Sequence, residues 1–176
     1  MQKCMASAAA GARNNPAAAD TVLALLTRWR LLGGHVVHVR HLSTTPGSLF
    51  WPGQPGVEFQ DALAPLAGEH VVDKHVPDAF IHTGLERWLR VRGITHLILV
   101  GVSTNISVES TARSAGNLGF VSEVAADATY AFASTDYAGT PRSAADVHAM
   151  ALANLDGEFA RVTSSARVLD QFPLPV

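Results

Sequence analysis

Ser107 and Lys74 are the two residues of this chain whose settings call for chemistry. Ser107 follows HLILVG, His96 to Gly101, a short and almost wholly apolar run ended by glycine, the pattern of a strand buried on both faces. Thr104 and Asn105 are N-cap residue types, Glu109 stands where a capping box could use it, and Asn117 with Gly119 supplies a stop, so a helix is expected from Asn105 to Leu118. Ser107 then sits in the first helical turn at the carboxyl end of a central strand. Unpaired N–H groups and the positive end of the helix dipole would stabilise an oxyanion or a thiolate there. Lys74 closes the run EHVVDK. An ammonium directly after buried valines is costly unless paired, which favours a functional or ion-paired role.

Other residues have competing readings. Arg40, His41, Phe50, Trp51 and Phe80 could wall a substrate pocket, since the long loop and the strand ends converge near them, or they could be core and interface side chains. His35, His38 and His41 share one strand, but the ligand spacing of a metal site is not evident, so no metal is expected and His41 is read as a packing or substrate contact. His148 reads as a core or interface histidine. Asp127 reads as a strand end near the site mouth or as a turn residue.

Composition narrows the class. A chain of 176 residues, 48% apolar, can bury the core of one domain, expected to span 1–176. A net charge of −2 without a basic stripe gives no footprint for nucleic acid or an anionic membrane, so a small-molecule partner is expected. No apolar run is long enough for a membrane span, and the alanine-rich start lacks the pattern of a signal peptide. The one cysteine, Cys4, excludes an internal disulfide, and a reducing cytoplasm is the default expectation.

The elements that must position these residues alternate. Pro16 to Leu32 reads as an amphipathic helix with Gly33 and Gly34 as its stop, His35 to Arg40 as a strand, and Ser43 to Gly56 as a long loop. Glu69 to Lys74 follows as a strand, Gly84 to Arg92 as a helix, Val121 to Asp127 as a strand, Ser143 to Gly157 as the last long helix and Phe159 to Thr163 as the last strand. Such alternation predicts an α/β fold, three layers with a parallel sheet in the middle and ligands at the carboxyl ends of the strands.

The order RNNP, VVHVRHLS, a loop ending PGVEF, ALAPLAGEHVVDKHVPDAFIHTGLERWL, GITHLILVGVSTNISVESTARSAGNLGF and DATYAF resembles the isochorismatase-like cysteine hydrolase superfamily, from about Arg13 to Val168. The resemblance implies a mostly parallel six-stranded sheet, a homo-oligomer (dimer or tetramer), no cofactor, and hydrolysis of small amides, ureides or related C–N bonds through an Asp, Lys and Cys triad. One branch of the family instead cleaves a vinyl ether by acid catalysis.

Carried over by position, Lys74 matches the family lysine and Ser107 stands at the nucleophilic cysteine. Backbone N–H groups near Ser103 and Ser107 match the oxyanion hole, with a non-proline cis peptide expected near Val102 and Ser103. The family Asp ends a first strand just before a dipeptide resembling Met1-Gln2, so that strand and its base are expected to be absent here, leaving two strand edges unpaired in mid-sheet. A serine hydroxyl needs a strong, aligned base, and none is evident, so the chain is expected to bind substrate better than it turns it over. The serine reads either as a replacement made to trap a ligand or as a natural variant. A catalytically silent homologue, serving as a binding or assembly subunit, is the alternative from another class.

Overall fold

The computed structural model describes residues 1–174. Its elements in order are α1 (Ala18–Leu31), β1 (Val37–His41), β2 (His70–Lys74), α2 (Leu85–Val91), β3 (His96–Val102), α3 (Glu109–Asn117), β4 (Val121–Tyr130), β5 (Ser134–Thr135), β6 (Pro141–Arg142), α4 (Ala144–Leu155), β7 (Arg161–Thr163) and α5 (Ser165–Gln171). No helix among the described residues is long and apolar enough to cross a membrane.

Side-chain alternation along the strands builds three layers. In β3, Leu97 and Leu99 turn toward the face covered by α2, α3 and α4, while Ile98 and Val100 turn toward α1 and α5. In β4, Val124 packs with Val108, Ala112 and Leu155, while its neighbour Ala125 packs with Val22, Leu25 and Val168. A strand covered on both faces must be apolar at consecutive positions, which is why HLILVG reads as a continuous run. Close packing of α3 depends on Gly116, where a Cβ would lie 2.8 Å from the Phe159 carbonyl oxygen.

All pairings among β1, β2, β3, β4 and β7 are parallel, but they fall into two groups. β1 pairs with β2 from Val37↔His70 to His41↔Lys74. β3 pairs with β4, and β4 with β7. Among the described residues no ladder joins β1 to β3, so the expected six-stranded sheet is divided into sheets of two and three strands, beside a small antiparallel β5–β6 hairpin. Between the facing edges of β1 and β3 lies an apolar cavity of about 710 Å³, lined by Val37, Val39, Ile98, Val100, Leu25 and Trp88 among others.

Several boundaries depart from expectation. β4 continues past Asp127 to Tyr130, because its register against β3 shifts between Leu99 and Gly101 and pairing resumes at Gly101↔Thr129. Asp127 is therefore neither a strand end nor at the site mouth: it accepts hydrogen bonds from the Ser165 N–H (2.7 Å) and hydroxyl (2.5 Å), holding the start of α5. That helix, capped by Ser164 accepting from the Arg167 N–H, is absent from the sequence reading. Phe159 and Ala160 precede β7 rather than belonging to it.

Candidate active site at the strand ends

Two loops carry the site, one from each sheet. Lys74 ends β2, and its ammonium is drawn inward because the side chain of Val72, two residues before, packs in the core on the same face. Its residue surface is only 4% exposed. Nζ donates to the Pro77 carbonyl oxygen and lies 3.1 Å from Ser107 Oγ. Among the described residues no carboxylate forms an ion pair with it. Burial therefore pulls its pKa from the usual lysine range down to about 8, with the charge of Asp78 opposing the shift. Asp78 is itself engaged, accepting from the Phe80 N–H (2.8 Å) and from the Ser114 hydroxyl.

Ser107 lies in a wide turn, Thr104–Val108, that precedes α3 and differs from the expected regular helix start. The N–H groups of Ile106 (3.2 Å) and Val108 (3.1 Å) both donate to the Ser103 carbonyl oxygen, the second closing a five-residue loop. Ser103, in extended backbone, precedes the turn without a side-chain cap, and the Val102–Ser103 peptide is cis. Thr104 and Asn105 do not cap, and Glu109 does not close a capping box. Thr104 Oγ1 is instead 2.8 Å from His148 Nδ1, and Glu109 pairs with Arg113 one turn on, where an i,i+4 partner is closer than the Ncap N–H. Ser103 is buried at 7% and lines the same cavity as Ser107.

The proposed pocket residues divide. His41, Phe50 and Phe80 line the cavity, with His41 edge-on to Phe50 at 5.2 Å between ring centres. Burial, then the Lys74 charge, holds the His41 pKa below its ordinary value. Arg40 and Trp51 are not among the lining residues. The Arg40 guanidinium is instead held by Asp73 on β2, with bonds of 2.7 and 2.8 Å. Trp51 is turned outward at 37% exposure.

Among the described residues no three His, Cys, Asp or Glu side chains cluster as metal ligands. His38 contacts Glu69 at 2.8 Å, and Glu69 also takes Arg30 through two bonds that hold its carboxyl down to about 2.

Three participants escape the sequence reading. Gln2 clamps the end of β1, donating to the His41 carbonyl oxygen and accepting from the His41 N–H, both at 2.9 Å. The Thr111 hydroxyl accepts from the Ala79 N–H (3.1 Å), tying α3 to the loop after Lys74. Asn15, at φ 45°, donates to the Thr129 (2.7 Å) and Ala126 (3.0 Å) carbonyl oxygens and lies 3.5 Å from His148 Nε2. The pair Asn-Asn before Pro16 is the signal that could have marked it, since Asn tolerates this left-handed backbone.

With this geometry in place, comparison with known proteins is informative. The isochorismatase domain family model matches residues 1–167. An isochorismatase-family protein of known structure from Chromobacterium violaceum superimposes with a TM-score of 0.95 at 46% identity, over 98% of this chain and 89% of that one. The uncharacterized isochorismatase family protein YrdC of Bacillus subtilis is 35% identical over 92% of this chain and 87% of its own length. Streptothricin hydrolase of Streptomyces noursei is 39% identical over 62% of this chain and 40% of its own length.

Proposed function

From the premise that the chain belongs to the isochorismatase family of hydrolases, we propose that it hydrolyses a small amide, ureide or related C–N bond at Ser107. The observation that carries this reading is the 3.1 Å contact between Lys74 Nζ and Ser107 Oγ at the mouth of an apolar cavity. A small acyl compound entering there meets a hydroxyl, a cationic or amine nitrogen, and the N–H groups that open the Ser107 turn. Attack of Oγ on the carbonyl carbon would place the developing oxyanion against those N–H groups near Ser103 and Ser107. His41, Phe50 and Phe80 would form the wall against which the acyl part packs. The likeness to ureidoacrylate amidohydrolases supports C–N chemistry over vinyl ether cleavage.

The family pattern supplies a carboxylate base at the end of a further strand. The space between β1 and β3 is apolar and bounded by two unladdered edges, which suits one parallel strand. The test is a chain extended ahead of Met1 by a short apolar strand ending in Asp and carrying Ser107→Cys, assayed for ammonia release from a panel of small amides and ureides, with isochorismate as a separate substrate. Hydrolysis of a member of the panel is expected. A folded, ligand-binding protein that hydrolyses nothing would favour the second reading, a silent binding or assembly subunit, to which the serine in place of a thiol lends support.

A further inference from the structure

The residues that face the cavity do not account for what holds the Ser107 turn in place. Past Val102 the chain leaves the β3–β4 ladder, whose last register pair is Val102↔Tyr130, and enters the turn Thr104–Val108. Among the described residues, two side-chain hydrogen bonds reach out of that turn. One joins Ser107 Oγ to Lys74 Nζ on the cavity side. The other joins Thr104 Oγ1 to His148 Nδ1 on α4 at 2.8 Å. Thr104 is fully buried and His148 nearly so, and neither lines the cavity.

Resting on the proposed chemistry at Ser107, we infer that His148 is a positioning residue of the site, which acts through Thr104 to set the placement of Ser107 without touching substrate. Thr104 opens the turn, and its carbonyl oxygen takes the Glu109 N–H at the start of α3. A displacement of Thr104 is therefore passed to both ends of the segment that carries Ser107. The histidine is seated in its turn. Ala144, Ala151 and Leu155 bury the same helix, and Asn15 lies 3.5 Å from His148 Nε2. Asn15 gives its amide hydrogens to the Ala126 and Thr129 carbonyl oxygens, where β4 resumes its pairing with β3. Asn15, His148 and Thr104 thus tie the turn back to the strand ends from which it springs. A hydrogen bond is directional where apolar packing is not. Such direction matters here, because misplacing a reacting atom by about 1 Å costs about 100-fold in rate.

The test introduces a thiol as a reporter of that placement. In the Ser107→Cys protein, iodoacetamide forms a C–S bond with the thiolate and releases iodide, and peptide mass mapping separates this site from the buried Cys4. At pH 7 the folded protein is expected to alkylate about 10-fold faster than the same protein in denaturant. Adding Thr104→Val or His148→Leu should slow the folded protein at least about 10-fold, with Lys74 unchanged throughout. Thr104→Ser keeps the hydroxyl and should stay within about 2-fold of the Ser107→Cys rate. Leu169→Ala, in the cluster between α1 and α5, lowers stability away from the turn and should leave the rate unchanged. Thr104→Val preserves the side-chain volume, so it decides the matter even if His148→Leu fails to fold.

An unchanged rate in folded Thr104→Val overturns the positioning role and leaves the reading of Ser107 standing. Equal slowing in Leu169→Ala also overturns it, by tracing the effect to general loosening. A thiol no faster in the folded Ser107→Cys protein than in denaturant overturns the reading of Ser107 as an activated position, and the positioning role with it.

Discussion

Thr104 Oγ1 lies 2.8 Å from His148 Nδ1, a buried contact that ties α4 to the turn bearing Ser107. Asn15 gives its two amide hydrogens to the Ala126 and Thr129 carbonyl oxygens and lies 3.5 Å from His148 Nε2, beside the other nitrogen of the same ring. Removing either partner strands a buried polar group. Thr104→Val and His148→Leu are each expected to lower stability by about 1–3 kcal/mol. The double variant should lose less than the sum by about 1 kcal/mol. Denaturant unfolding of the four proteins checks this; strict additivity would mean the contact carries no coupling.

Acid should destabilise the fold early. Burial lowers the pKa of His38, His41, His70 and His148 below the ordinary histidine value. Below pH about 6.5 the unfolded chain takes up protons that the native state refuses, so stability is complete above that pH and falls as pH drops toward the native values. Thermal melts from pH 7.5 to 5 should show a falling midpoint, with a shallower slope in His148→Gln. A midpoint flat across this range would contradict the histidine assignment.

A strand placed in the cavity should act on both stability and protonation. Filling an apolar space of about 710 Å³ is expected to raise the melting midpoint by more than about 10 °C. If that strand ends in Asp beside Lys74, the lysine should move upward from about 8, because an adjacent carboxylate favours the ammonium. Titration of the lysine ε-amine by NMR should show the higher value in the extended form. An equal value in both would place the carboxylate out of reach of Lys74.

Self-association follows from the surface. Ile106 on the Ser107 turn is 50% exposed, and Leu49 and Trp51 in the long loop are 44% and 37% exposed, an apolar neighbourhood suited to a second copy. At least a homodimer is expected. Light scattering at micromolar concentration checks it, and a clean monomer mass would refute it.

Much of the three-layer order was legible because β3 is packed on both faces and shows an apolar run from Leu97 to Val100. Lys74 stood out as a charge two residues after the buried Val72. The turn around Ser107 was legible only in outline. Thr104 and Glu109 have the residue types of a capping box, but Thr104 meets His148 on α4, and Glu109 takes Arg113 one turn on and Asn154 of α4. Arg40 was misread for a different reason: its chemistry suits a pocket, yet its guanidinium is taken by Asp73, its register partner on β2. Gln2 was marked only by the family dipeptide, and its clamp on His41 was not legible, because an amide that holds a strand end looks like any polar residue.

The division of the sheet also determines how the molecule can breathe. Lys74 belongs to the β1–β2 pair and Ser107 follows β3 in the other sheet, with no backbone ladder crossing between them. The distance between the two side chains is therefore set by loops and helix packing rather than by a rigid hydrogen-bonded frame. Amide hydrogen exchange should report this as a seam, with N–H groups along the facing edges of β1 and β3 exchanging well before those between β3 and β4.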